Sequence, residues 1–192
     1  NDERRGTTSE FAAAFEIARR AGLASVPHGG ELLGPDHIHE VTQFLSPTRI
    51  GHGVRAVEDP KTLEGLANAG IALEINPASN VCLGVYPDAQ AVPLTTLYES
   101  GVGIALGADD PLLFKSRLTD QYETARHVHG FTDPQLARLA ADSIRASLAT
   151  PSVKAKLARL SIDTAEMRDR DIRIADLPVF KVLGFEANQP AV

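Results

Sequence analysis

Residues 103–114 read Gly-Ile-Ala-Leu-Gly-Ala-Asp-Asp-Pro-Leu-Leu-Phe, an apolar run that ends in two adjacent carboxylates. A buried strand that brings Asp109 and Asp110 to its C-terminal tip, with Pro111 ending the ladder, is how parallel α/β sheets present acids to a ligand. The rest of the chain can be read outward from this strand.

Three more strand-and-tip segments precede it. Ala24 to Pro27 forms a short apolar strand that runs into His28-Gly29-Gly30-Glu31, Arg49-Ile50-Gly51-His52-Gly53 reads as a strand and loop, and Ile71 to Ile75 is followed by an irregular Asn76-Pro77-Ala78-Ser79-Asn80 segment. Helices separate them. Thr7-Thr8-Ser9-Glu10 has the spacing of a capping box and opens a helix to about Ala21, with Phe11, Phe15 and Ile17 for its buried face. Gly34-Pro35-Asp36 opens a second, which turns Ile38, Val41, Phe44 and Leu45 inward. Asp59-Pro60 caps a third that closes at Gly70, and Pro93 to Ser100 makes a short fourth.

Strand, polar tip and helix thus recur at intervals of roughly two dozen residues, the pattern of βαβ units in a parallel sheet. The fold expected is a (β/α)8 TIM-type barrel, with chemistry at the C-terminal ends of the strands. A doubly wound sheet is the other arrangement, but the sequence has no phosphate loop of the GxGxxG or GxxxxGK type. Beyond the last strand the chain turns helical, over Leu118 to His129, Asp133 to about Leu148 and Pro151 to about Leu160, with a short helix near Thr164 to Arg170. No low-complexity linker interrupts it, so residues 1–192 are read as one domain.

Composition excludes several classes. The net charge of −6 and the scatter of Lys and Arg through helices argue against a nucleic-acid surface. No apolar stretch approaches the roughly 20 residues that a bilayer span needs. The single Cys82 rules out an internal disulfide and is read as a packing residue, while the charged start Asn1 to Arg5 is unlike a signal peptide, so a cytoplasmic location is expected.

The strand tips hold the chemistry. His28 and Glu31 share one loop across two glycines that allow a ligand or metal close to the backbone. His52 lies between glycines at the next tip, free to turn toward a cavity, and Asp109 and Asp110 leave a strand end on opposite sides. Imidazole and carboxylate around one borderline-soft cation, with a free acid nearby, suggest hydrolysis by water activated on a metal.

Taken together, His28-Gly29-Gly30-Glu31, Arg49-Ile50-Gly51-His52-Gly53, Leu73-Glu74-Ile75-Asn76-Pro77-Ala78-Ser79-Asn80 and Gly107-Ala108-Asp109-Asp110-Pro111-Leu112-Leu113-Phe114 resemble the C-terminal half of the adenosine deaminase family, in the same order and at compatible spacing over residues 1 to about 160. The resemblance implies strands five to eight of the barrel and one Zn2+ per site. It makes His28 and Asp109 metal ligands, Glu31 the acid that protonates purine N1, and His52 the histidine that orients the attacking water and takes or stabilises its proton. It assigns Asp110 to N7 of the base and Gly30 to the substrate-binding loop. Asn1-Asp2-Glu3 resembles the Gly-Asp-Glu that ends the family's fourth strand, with Asn where the glycine contacts the base.

The family's remaining zinc ligands, a His-x-His pair on the first barrel strand, have no counterpart here, so an N-terminal half is needed for a complete site. His37-Ile38-His39 and His127-Val128-His129 do not replace that pair, because positions i and i+2 on a helix point about 200° apart. These four histidines are read as solvated helix residues. Glu74 is read as pairing with Arg49 or Arg55, and Asn76 and Asn80 as organising their loop. The implied function is zinc-dependent hydrolytic deamination of a 6-aminopurine nucleoside, adenosine to inosine and ammonia. The same chemistry on adenine or 6-aminodeoxyfutalosine is an alternative, and a catalytically silent fragment or purine-binding module is one of another class. A homo-oligomer is a further expectation, since a half barrel exposes a strand edge.

Overall fold

The computed structural model describes residues 3–166. Four parallel strands, β1 (His28–Gly29), β2 (Arg49–His52), β3 (Ala72–Ile75) and β4 (Ile104–Leu106), form one sheet in the order β1-β2-β3-β4. Spatial order that follows sequence order is the winding of a barrel segment; a doubly wound sheet would reverse direction part-way. The helices are α1 (Ala12–Arg20), α2 (Pro35–Leu45), α3 (Pro60–Ala69), α4 (Pro77–Cys82), α5 (Leu94–Glu99), α6 (Pro111–Phe114), α7 (Leu118–His127), α8 (Asp133–Ala146) and α9 (Pro151–Glu166).

The sheet has a dry face and a wet one. Ile50, Leu73, Ile75, Ile104 and Leu106 are buried and pack with Ile38 and Val41 of α2, Leu63 and Leu66 of α3, Leu94 and Leu97 of α5, and Leu136 and Leu139 of α8. The alternating positions Arg49, Glu74 and Ala105 remain partly exposed. Register places His28, Gly51, Glu74 and Ala105 in one row across the four strands, the row that would line a barrel's interior. From one row below, Arg49 pairs with Glu74 across β2 and β3, and its Nη1 donates to the Ala146 carbonyl at 2.8 Å, tying the base of the sheet to the end of α8.

Helix boundaries follow their caps. Pro35 starts α2, and the Asp59 carboxylate accepts the Lys61 and Thr62 N–H groups at the head of α3. Gly70 ends α3 with φ of 67°, a left-handed turn that glycine adopts without a Cβ penalty. Thr132 and Gln135 form the capping box of α8.

Several sequence expectations are corrected. Thr7 makes no side-chain cap, and the first helix opens instead as a 3-10 turn over Thr8–Phe11. Phe11 and Ile17 are 52% and 70% exposed, because α1 lies at the β1 edge of the sheet and only Phe15 reaches the core. Residues 24–27 are not regular strand, although Thr48 N donates to Ser25 O and Gly51 N to Pro27 O, both at 2.8 Å, extending the contact with β2. Phe44 is exposed at the rim of α2. The Asn76–Asn80 segment is the start of α4, since Pro77 supplies a helical φ at the first position. Cys82 is exposed at the end of that helix and not a packing residue. Helix α9 runs without a break to Glu166, past Leu160 and through Thr164, and the part of the expected tail helix beyond it lies outside the described residues.

Candidate active site

The tips of the strands bring three of the expected residues together. Glu31, His52 and Asp109 each offer one ligand atom, and those atoms lie within 4.8 Å of one another. His52 Nδ1 stands 3.2 Å from Glu31 Oε1, and His52 Nε2 stands 3.9 Å from Asp109 Oδ2. Backbone conformation aims two of them: His52 has φ of 65° and Asp109 φ of 56°, so the chain turns left-handed at the last residue of β2 and again after β4. Strained non-glycine backbone at two converging tips is the kind of geometry that functional sites retain.

His28 joins this group from β1. Its ring centroid lies 5.2 Å from that of His52, tilted by 48°, and its side chain is exposed on the inner row. A Cβ on Gly51 would come within 3.3 Å of the His28 ring, so the bare backbone of β2 is what lets the imidazole lie across it. Among the described residues, His28 is outside the set of donors within 4.8 Å.

Electrostatics divide the roles. Burial, with Glu3 and Asp109 nearby, raises the Glu31 carboxyl to about 7, so this acid keeps its proton close to neutrality. Burial, with His28 alongside, lowers His52, which holds its imidazole neutral and able to accept a proton. Glu31 Oε1 and His52 Nδ1 are both buried, and neither has a hydrogen-bond partner of good geometry within the chain. An acid held protonated and a base held neutral, side by side and unsatisfied, suit a site built to pass protons to a bound molecule.

Asp110 and Gly30 are placed differently. Asp110 is exposed and its Oδ1 caps α6 by accepting the Leu113 N–H at 3.1 Å, which leaves the second oxygen uncommitted by that cap. Gly30 has φ of 70°, and both of its backbone groups are engaged: its carbonyl accepts from Arg55 N at 3.0 Å, and its N–H donates to His37 Nδ1 at 3.4 Å.

Residues 1–164 match the family model described as "Adenosine deaminase". The chain belongs to the adenosine deaminase family. It is 57% identical over 157 residues to a putative adenosine/adenine deaminase of Streptomyces virginiae, covering 82% of this chain and 46% of that protein. It is 41% identical over 156 residues to an adenine deaminase of Rhizobium meliloti (strain 1021), covering 81% of this chain and 48% of the relative. The crystal structure of an adenine deaminase from Arthrobacter aurescens superposes with a TM-score of 0.82 at 31% identity, over 85% of this chain and 50% of that one. The chain therefore spans about half the length of the curated relatives it matches. Its parallel four-stranded sheet is half of a deaminase barrel.

Within this adenosine deaminase half-barrel, sequence reasoning missed three supports. Ser79, fully buried on α4, donates its hydroxyl to Asp109 Oδ2 at 2.6 Å. Gln121 of α7 is 1% exposed and accepts the Ala78 N–H at 3.1 Å, fixing the start of α4 from below. Glu3, itself almost buried, accepts the N–H groups of Glu31, Leu32 and Leu33. The Ser-Asn of the third motif and the Glu of Asn-Asp-Glu were visible as letters, but which tip each one meets depends on three-dimensional packing. Asn1 and Asp2 lie outside the described residues.

The histidine pairs also need correction. None of the four joins the converging donors, as the helical spacing indicated. Yet His37 is not solvated: its side chain is 11% exposed and Nδ1 faces Gly30 N and Glu3. His129 lies beyond the end of α7 with Nε2 buried, and burial lowers its pKa. His39 is exposed and contacts Thr62 Oγ1 at 2.8 Å, while His127 is exposed and pairs with Glu123 at 2.9 Å. Glu74 pairs with Arg49, one of the two partners expected. Among the described residues no helix is long and apolar enough to cross a membrane.

Proposed function

We propose that this chain carries the acid–base half of a zinc-dependent hydrolase that deaminates a 6-aminopurine, adenine or an adenosine, to the 6-oxo product and ammonia. The observation that carries the reading is the convergence of Glu31, His52 and Asp109 at one rim, with burial raising Glu31 to about 7 and lowering His52. The names of the relatives support a purine substrate, and adenine recurs among them.

The donors fit a borderline-soft cation: imidazole and carboxylate share a rim on which two buried polar atoms lack partners. His28 and Asp109 would hold Zn2+, which supplies a water nucleophile active at neutral pH. Glu31, whose carboxyl burial raises to about 7, is a poorer ligand and a better acid than an ordinary carboxylate. Two protein ligands fall short of the three that catalytic zinc sites use, so the complete site needs a complementary N-terminal half-barrel that brings the others.

The residues then divide the work. Glu31 donates a proton to N1 of the purine, which makes C6 electrophilic; the C6–O bond forms and the C6–N bond breaks as ammonia leaves. His52 accepts one proton of the attacking water and passes it to the departing nitrogen, and the second water proton leaves the new C6 oxygen to restore the Glu31 carboxyl. Asp110 faces N7 of the base with the carboxyl oxygen that its helix cap leaves uncommitted, and Gly30 belongs to the loop that faces the base.

The test is ammonia release across adenine, adenosine and 5′-modified adenosines, with the chain alone and with a complementary N-terminal half from a relative. Glu31→Gln should reduce turnover by about 10²–10⁴-fold while zinc content and folding are retained. Turnover by the Gln variant near the parent rate would remove the N1 proton role. A folded preparation with both halves that binds no zinc and releases no ammonia would leave a purine-binding module as the reading.

A further inference from the structure

The loop that carries Glu31 is held by side chains from elsewhere. Four successive amide N–H groups, those of Gly30, Glu31, Leu32 and Leu33, converge on two residues. Gly30 N donates to His37 Nδ1 at 3.4 Å. Glu31 N lies 3.1 Å and 3.2 Å from the two oxygens of Glu3, and Oε2 of the same carboxylate accepts from Leu32 N at 2.8 Å and Leu33 N at 2.9 Å. Successive N–H groups aimed at one point form an anion-binding concavity, and here the anion is supplied by the chain itself.

Glu3 has little access to solvent or substrate. Its side chain is 6% exposed, with His37 Nδ1 3.6 Å from Oε2. The carbonyls of the loop are also taken, Gly30 O by Arg55 N at 3.0 Å and Leu32 O by Arg55 Nη1 at 2.5 Å. What the clamp leaves free is the Glu31 side chain, whose Oε1 stands 3.2 Å from His52 Nδ1. A carboxylate 28 positions away in sequence therefore fixes the backbone from which the site's acid projects.

We propose that Glu3 is a positioning residue for Glu31: its carboxylate gathers the Glu31, Leu32 and Leu33 amides and sets the direction of the Glu31 carboxyl toward His52. This rests on the deaminase reading for its kinetic consequence, but its geometric content does not.

The experiment compares Glu3→Ala and Glu3→Gln with the parent, zinc-loaded and in whichever preparation deaminates, the chain alone or with its complementary half. In Glu3→Ala, kcat should fall by about 10–100-fold, as a misplaced catalytic group does, while KM changes by less than about threefold because ground-state binding is untouched. Glu3→Gln should lie between the two, since its amide oxygen can still accept from Leu32 and Leu33 whereas its NH2 opposes the Glu31 N–H. Amide hydrogen exchange supplies a readout that needs no activity: Glu31, Leu32 and Leu33 should exchange faster in Glu3→Ala, with Leu73 and Ile75 of β3 unchanged. Slow exchange at the three amides together with kcat within about twofold of the parent would overturn the proposal. So would a uniform loss of protection across the sheet with KM and kcat failing together, the mark of a merely structural residue. If Glu3→Ala does not fold, Glu3→Gln decides by the same two readouts. A parent protein without deamination would refute the functional reading alone, and the exchange pattern would still test the clamp.

Discussion

Ser79 Oγ donates to Asp109 Oδ2 at 2.6 Å, from a helix residue with no exposed surface to a strand-tip carboxylate 30 positions later. The bond fixes which oxygen of Asp109 turns toward His52, whose Nε2 lies 3.9 Å from that same atom. A hydroxyl behind a metal-binding carboxylate typically matters by about 10–100-fold in metal affinity. Ser79→Ala should therefore weaken zinc binding by roughly that factor while the melting temperature moves little, as competition with a chromophoric chelator would show. Unchanged affinity would mean that Asp109 holds its orientation unaided.

Asp109 itself can be tested with two substitutions that separate charge from backbone. Its φ of 56° is a conformation that Asn shares readily and Ala does not. Asp109→Asn should lose zinc but keep the parent's stability, whereas Asp109→Ala should lose zinc and also about 1 kcal/mol of unfolding free energy. Equal stability of the two variants in chemical denaturation would show that the left-handed turn carries no strain.

The raised carboxyl of Glu31 makes stability depend on pH. Its pKa is 4.5 when unperturbed and about 7 in the fold, so between those values the folded state binds a proton that the unfolded state has lost. The contribution is complete below 4.5 and disappears as pH rises toward 7, with a slope of up to about 1.4 kcal/mol per pH unit. In metal-free protein, the difference in unfolding free energy between the parent and Glu31→Gln should fall by about 1–3 kcal/mol across that window. A difference that stays constant with pH would contradict the burial of an ionisable acid at this tip.

Gly30 is held by space as well as by conformation. With φ of 70°, a Cβ there would lie 2.5 Å from Cδ1 of Ile38, a core residue of α2 with no exposed surface. Gly30→Ala should destabilise the fold by about 1–3 kcal/mol through overpacking and shift Glu31 beside it. Thermal unfolding gives the first effect and kcat the second; a variant as stable as the parent would show that α2 yields at no cost.

Much of this architecture was legible because local rules and tertiary packing agree. The Asp59-Pro60 and Gly34-Pro35 starts, the Gly70 stop and the acids after Leu106 each act within a few residues, so the strands and helices could be placed from spacing. The failures have a common cause. Phe11, Ile17 and Phe44 fit helical periodicity, but whether an apolar stripe is covered depends on what packs against it. Pro77 within Asn76–Asn80 suggests an irregular segment from sequence alone, whereas in the fold it starts α4. At the site, the residues that touch one another across a rim share motifs and could be named. Those that stand behind them, Ser79 behind Asp109 and Glu3 beneath Glu31, meet through contacts 28 to 30 positions apart that no sequence period encodes.

The strand order has a kinetic corollary. Because β1 pairs with β2, β2 with β3 and β3 with β4, every new strand finds its neighbour already made, and no distant ends must meet before these pairings can be rewarded. Assembly can proceed stepwise in the direction of synthesis, each added unit docking on the previous one. The cluster of Glu31, His52 and Asp109 comes last: it exists only when Asp109, after β4, arrives beside a histidine and a glutamic acid set in place by units built before it.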